Sequence, residues 1–159
     1  MSMVIATADL SITEPSDVIL LPEVAAYATA ISAAELIYLS KKRDREIDRT
    51  WDRKLKNKYG VQYVLLATID GDYPYSKNGD LSTVYLEKGQ VWKIGETIRW
   101  DSKNRKQYRY SESWLRENNL KFIAAYEGTQ GKIKIAEKKA IYTYYFRHGH
   151  LPPGNRIFR

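Results

Sequence analysis

The chain has 159 residues, 43% hydrophobic and 13% aromatic, and it contains no cysteine. That size and apolar content suit one domain with a real core plus an attachment. The missing cysteine excludes disulfides, thiolate metal sites and a cysteine nucleophile, so any metal must sit on oxygen or imidazole.

The formal net charge of +7 is unevenly divided. The first forty residues hold five carboxylates and no Lys or Arg, a net −5, while the other 119 hold all 26 Lys and Arg against 14 carboxylates, a net +12. Two parts with different roles are implied, and the basic body is attracted to polyanions such as nucleic acid or an acidic surface. The bland reading of the same charge is a solvated basic surface. No basic leader with a short apolar core and a small-residue cleavage site opens the chain, so a cleaved secretory signal is not expected.

Residues 1–16 are polar and poorly patterned. The Ala-rich run VILLPEVAAYATAISAAELIYL (18–39) predicts a helix from Pro22 onward. Pro22, Glu23 and Glu35 interrupt it and Ala is weakly apolar, so a buried or partner-binding helix is expected rather than membrane insertion. KKRDREIDRTWDRKLKNKYG (41–60) continues as a solvated helix closing at Tyr59-Gly60.

The period then changes from helix to strand. VQYVLLATI (61–69), LSTVYL (81–86) and QVWKIGET (90–97) predict three short antiparallel strands, with Asp70-Gly71-Asp72 as a turn and Glu87-Lys88-Gly89 as a hairpin connection. After a polar basic stretch (99–108), SESWLREN (111–118) reads as a short helix, LKFIAAYEG (120–128) as a further strand-like run, and residues 131–148 as a helix. GHLPPGNRIFR (149–159) is too rich in Gly and Pro for regular structure. The expected fold is α+β: a small antiparallel three-stranded sheet flanked by helices over 59–159, preceded by a helical, acidic then basic segment over 1–58.

Four positions draw attention for chemistry. Glu137 lies inside the apolar stripe Ile133, Ala136, Ala140, Ile141 and Tyr144, whereas Lys132, Lys138 and Lys139 fall outside it. A carboxylate facing a core costs several kcal/mol, roughly the penalty for a buried ion, unless a metal, a cation or several donors meet it. Lys93 sits inside a strand just before Gly95, where glycine permits a turn or close approach; its plain reading is a solvent-facing Lys. Arg109 precedes a helix start, where a guanidinium can clamp phosphate or serve as ordinary surface charge. Asn155 follows Pro152-Pro153-Gly154, a rigid loop that could hold its amide against a site or be a simple turn.

The segments YVLLA, VWKIGET, RYSESWL, AEKKAIYTYY and HLPPGN resemble, in this order, the GIY-YIG nucleases, in the variant found as C-terminal toxin domains of polymorphic (Rhs-type) bacterial toxins. The likeness covers roughly residues 59–159. It implies a metal-dependent endonuclease with a small antiparallel sheet. Tyr63 in GVQYV takes the first tyrosine role, with Gly60 displaced from the usual spacing, and Lys93 in WKIG replaces the second tyrosine. Arg109, Glu137 and Asn155 take the remaining roles.

Tyr85 in STVYL competes with Tyr63, which is preferred because DGDYP (70–74) echoes the turn of the toxin variant. Arg99 and Arg105 compete with Arg109, which is preferred on its RYS context, and Ser113 stands where some members place a histidine.

By the same resemblance, Glu137 ligates Mg²⁺ or Mn²⁺, Arg109 stabilises phosphate charge, and Asn155 orients the carboxylate or a water. Tyr63 positions or deprotonates the attacking water; as a base, its pKa of about 10 must be lowered by Lys93 or the metal. The implied partners are DNA, or RNA, and an acidic immunity protein, for an effector acting in the cytoplasm of a target bacterium. Three further readings are a binding module without cleavage, a nuclease using His148 and His150, the only histidines, and a pure interaction domain in which Glu137 is an internal ion pair.

Overall fold

The apolar run after Lys58 becomes the centre of a sheet. The computed structural model describes residues 31–158 apart from 52, 54, 56, 78 and 79. In it β1 (Tyr59–Ala67) lies between β4 (Val91–Thr97) and β7 (Leu120–Thr129), antiparallel to both. The remaining strands form two separate ribbons, β2 (Gly71–Lys77) with β3 (Asp80–Leu86), and β5 (Trp100–Asp101) with β6 (Lys106–Gln107). The helices among the described residues are α1 (Ala33–Trp51), α2 (Glu112–Glu117) and α3 (Gln130–His148). The α+β class and the three-stranded antiparallel sheet are therefore as expected.

β1 reads as a nearly continuous apolar strand because both of its faces are covered. Val64, with Val91 and Ile94 of β4, packs against Ala140, Ile141 and Tyr144 of α3. On the opposite face Tyr63, Leu65 and Ala67 pack with Tyr73, Leu86 and Leu120, beneath a rim that includes Trp92, Tyr110, Trp114 and Phe122.

The predicted stripe of α3 is buried in full, Glu137 included. Ile135 and Tyr142 are buried as well, because α3 carries a second layer: α1 docks on it. The Tyr145 hydroxyl donates to Glu35 (2.9 Å), and Lys138 pairs with Glu46 (3.5 Å). Gly149, in the left-handed region at φ 73°, ends α3 by returning its N–H to the Tyr145 carbonyl.

Four local expectations are corrected. The helix predicted to reach Tyr59-Gly60 stops at Trp51, and both residues open β1. A side chain at Gly60 would run into the Thr97 carbonyl and Ile133, so this glycine lets α3 and β4 close over β1 rather than capping a helix. Residues 71–77, read in part as a turn, form β2 and take β3 as partner. The run 81–86 is consequently absent from the main sheet, and β7 fills the third place. Glu87-Lys88-Gly89 does turn, with the Gln90 N–H donating to the Glu87 carbonyl (3.0 Å), but it hands the chain from the ribbon to the sheet instead of joining paired strands. The part of the predicted N-terminal helix before residue 31 lies outside the described residues. Among them, no helix is long and apolar enough to cross a membrane.

Candidate active site

The five residues singled out in the sequence, spread from position 63 to 155, line one cleft of about 600 Å³. Tyr63 comes from the central strand, Lys93 from β4, Arg109 from the segment before α2, Glu137 from α3 and Asn155 from the closing loop.

Backbone geometry explains how β4 contributes. Leu65 pairs with Lys93 and Leu66 with Val91, which leaves Trp92 as an extra, bulged residue. Successive strand residues ordinarily point to opposite faces, and a bulge suspends that alternation. Trp92 and Lys93 therefore both line the cleft, while Ile94 is kept for the core. The Trp92 indole N–H also donates to the Pro74 carbonyl (2.8 Å), tying the β2–β3 ribbon to the cleft, where Tyr75 forms part of the wall.

Opposite Tyr63 in the β1–β4 register stands Gly95. A Cβ built there would lie 2.5 Å from the Tyr63 hydroxyl oxygen and 2.6 Å from Cζ, so the phenol rests on bare backbone. The ring is 1% exposed, stacks on Phe122 (centroids 4.7 Å apart, planes at 26°) and shares a 2.8 Å hydrogen bond with the Tyr110 hydroxyl.

Burial, reinforced by Tyr110 and by the Glu137 carboxylate, raises the Tyr63 pKa far above the ordinary phenol value, and only Arg109 pulls the other way. The surrounding side chains therefore favour the neutral phenol, whose hydroxyl can donate or relay a hydrogen bond. At Arg109, burial opposes the charge, but Tyr63, Tyr110 and Glu96 outweigh it and hold the guanidinium above its usual pKa.

A raised phenol pKa also sets an alkaline limit on the fold. The folded chain holds its Tyr63 proton after the unfolded chain has released it at about pH 10, so this contribution is complete below that pH and is lost as pH rises further. Tyr142, raised chiefly by burial and then by Glu46, acts in the same direction. Urea unfolding at pH 8, 9.5 and 10.5 should show stability falling over the upper interval, with a shallower fall for Tyr63→Phe.

Glu137 is 7% exposed and faces the cleft from α3. Among the described residues there is no cluster of three or more His, Asp or Glu able to hold a metal. The donors at hand are thus the hard oxygens of Glu137 and of Glu96, whose carboxylate is held by Lys134 at 2.9 Å. Such a set fits a hard divalent ion that keeps waters and substrate oxygens as most of its ligands; it does not fit a closed structural metal site.

Asn155, 9% exposed, is committed to backbone. Its Oδ1 accepts from the Ile94 N–H (2.9 Å) and its Nδ2 donates to the Ile94 carbonyl (2.9 Å). The Gly154 N–H adds a bond to the Trp92 carbonyl (2.6 Å), so the loop pairs with the outer edge of β4. Asn155 thus builds the cleft wall, where the resemblance implied that it would orient Glu137 or a water. Asn155→Ala should cost roughly 2–6 kcal/mol, since two buried main-chain groups lose partners at about 1–3 kcal/mol each. Asn155→Asp should recover only part of this, because Asp can accept from the N–H but cannot donate to the carbonyl. Urea midpoints measure both effects.

The alternatives separate in space. Tyr85 is 61% exposed on β3 and does not line the cleft. Arg99 is exposed and also away from it, while Arg105 pairs with Glu127 at 2.7 Å. His148 and His150 cluster with Tyr144 at the end of α3 rather than at the cleft. Sequence reasoning did not assign Tyr110 or Glu96, although each stands in a quoted motif, Tyr110 beside Arg109 and Glu96 after Gly95.

No family model, curated protein or solved structure matches this chain.

Proposed function

We propose that this chain is a metal-dependent endonuclease that hydrolyses phosphodiester bonds of DNA with little sequence preference and serves as an antibacterial toxin domain. The observation that carries this reading is the convergence of Tyr63, Lys93, Arg109 and Glu137 on one cleft walled by Asn155. In a chain of net charge +7, that cleft offers cations for a phosphate and a recessed carboxylate for a metal.

Glu137 would hold a Mg²⁺ or Mn²⁺ ion, which when bound would supply Lewis-acid stabilisation of charge on the phosphate. Arg109 and Lys93 grip the nonbridging oxygens. Tyr63, a neutral phenol fixed by Tyr110 and Gly95, orients the attacking water by hydrogen bonding. The water oxygen bonds to phosphorus as one ester P–O bond breaks, and the proton the water gives up is balanced by one taken up by the leaving oxygen, which leaves a phosphomonoester and a free hydroxyl. Basic residues outside the cleft provide affinity independent of sequence, and a toxin of this charge calls for an acidic immunity protein in the producing cell.

Incubation with supercoiled plasmid tests the reading. Nicked or degraded product should form with Mg²⁺ and not with EDTA, and an acidic product of a neighbouring gene should block it. Intact plasmid and intact RNA under all conditions would leave the second reading, a binding module without cleavage, which the Lys at position 93, in place of the second tyrosine, favours.

A further inference from the structure

A second cavity of about 920 Å³ shares a wall with the cleft. The wall is the segment 108–110, whose consecutive residues divide between the two spaces: Arg109 lines the cleft, while Tyr108 and Tyr110 line the neighbouring groove. The hydrogen bond between the Tyr110 and Tyr63 hydroxyls bridges the two.

The groove combines aromatic surface with cations. Trp100 and Phe122 both line it, stacked with centroids 6.4 Å apart and planes at 21°. Tyr108 is 56% exposed, and its backbone N–H is fixed to the Arg99 carbonyl (2.9 Å). The Lys106 ammonium lies 5.6 Å from the Tyr108 ring centre. Arg116 adds positive charge to the lining, Arg105 is paired with Glu127 at 2.7 Å, and Glu112 contributes one carboxylate. The volume falls within the range of about 300–1,000 Å³ usual for pockets that take small-molecule-sized groups.

We infer that this groove binds an unpaired nucleotide next to the phosphate held in the cleft, so that the substrate is a single-stranded or locally opened nucleic acid strand. The inference rests on the reading of the cleft as a phosphodiester site. A base within a duplex hides its faces in the stack, whereas an unpaired base presents one to a tyrosine, and nearby cations meet its phosphate. Tyr108 is the stacking platform, Lys106 and Arg116 are phosphate contacts, and the 108–110 wall sets the step between the seated base and the phosphate at Arg109.

Fluorescence anisotropy in EDTA tests this with a labelled single-stranded DNA 12-mer, the same sequence as RNA, and the blunt DNA duplex. The single strand should bind more tightly than the duplex, and Tyr108→Ala should weaken it by roughly tenfold with little change for the duplex. Arg116→Ala should lower the salt dependence of binding by about one phosphate contact. Both positions are exposed, so both variants should fold. Comparison of the DNA and RNA strands shows which sugar the groove accepts.

Equal or tighter binding of duplex, together with an unchanged affinity of Tyr108→Ala for the single strand, overturns the inference even if plasmid cleavage succeeds. Preference for the single strand with its loss in Tyr108→Ala, but no cleavage of any substrate with Mg²⁺, upholds the groove and overturns the nuclease reading.

Discussion

Glu137→Gln is expected to abolish cleavage nearly completely, by roughly a thousandfold or more, and to leave the fold intact. The magnitude follows from the role: a metal at a phosphoryl centre supplies several kcal/mol of charge stabilisation, and about 1.4 kcal/mol is a factor of ten in rate. Gln keeps the length and shape of the buried side chain at 7% exposure. It loses the formal charge that makes a carboxylate a Mg²⁺ ligand. Raising Mg²⁺ or Mn²⁺ should recover part of the activity, because weakened binding yields to mass action.

A purely structural Glu137, an internal ion pair within the stripe of α3, gives the opposite pattern. Melting temperature would then fall sharply, since breaking a buried pair costs about 3–5 kcal/mol, and any cleavage would persist in the fraction still folded. Circular dichroism melts beside the plasmid assay therefore separate the two roles. Cleavage by Glu137→Gln at the unmodified rate would remove this residue from the site altogether.

What the sequence disclosed about this fold depended on whether the deciding interaction was local. The stripe on α3 was legible because a helix face repeats every three to four residues, and an ion in that face stands out against its neighbours. Ile135 and Tyr142 were not, since their burial comes from α1, about a hundred residues earlier in the chain. The strand at 71–77 was hidden by Gly71 and Pro74, which read as turn residues. Pro74 is tolerated in a two-stranded ribbon, where one edge of the strand needs no partner.

Strand pairing was the hardest part, because the Lys88-Gly89 turn signals a hairpin between its flanking runs. The choice of β7 over β3 as the sheet's third strand depends on long-range pairing that no local pattern reports. The site followed the same rule. Motif order brought together the five residues of the cleft, yet Tyr110 and Glu96 emerged only when Tyr63 and Lys134 were seen beside them. Asn155 was found by position, and its backbone pairing to Ile94 was not foreseeable from its loop alone.

Gly95→Ala should destabilise the chain by about 1–3 kcal/mol, the usual range for overpacking a filled core, and should lower cleavage more steeply than stability. The added methyl would occupy space now held by the Tyr63 hydroxyl and Cζ, at 2.5 and 2.6 Å. Any shift of Tyr63 disturbs its existing contacts: Phe122 is stacked on its ring and Tyr110 holds its hydroxyl. The phenol must therefore move off its position in the cleft or push β4 outward.

Gly131→Ala is the control for a generic glycine effect. Its Cβ would meet only Leu55 Cδ1 at an ordinary 3.6 Å, and at the start of α3 Ala should be neutral or stabilising by up to about 1 kcal/mol. Shortening the opposing side chain isolates the contact itself. In the pair Gly95→Ala with Tyr63→Leu, stability should recover beyond the sum of the single changes, the signature of two groups competing for one space. Cleavage should not recover, because the phenol is gone. If Gly95→Ala melts and cleaves like the unmodified protein, then Tyr63 is not held on the β4 backbone and its hydroxyl does not direct the reaction.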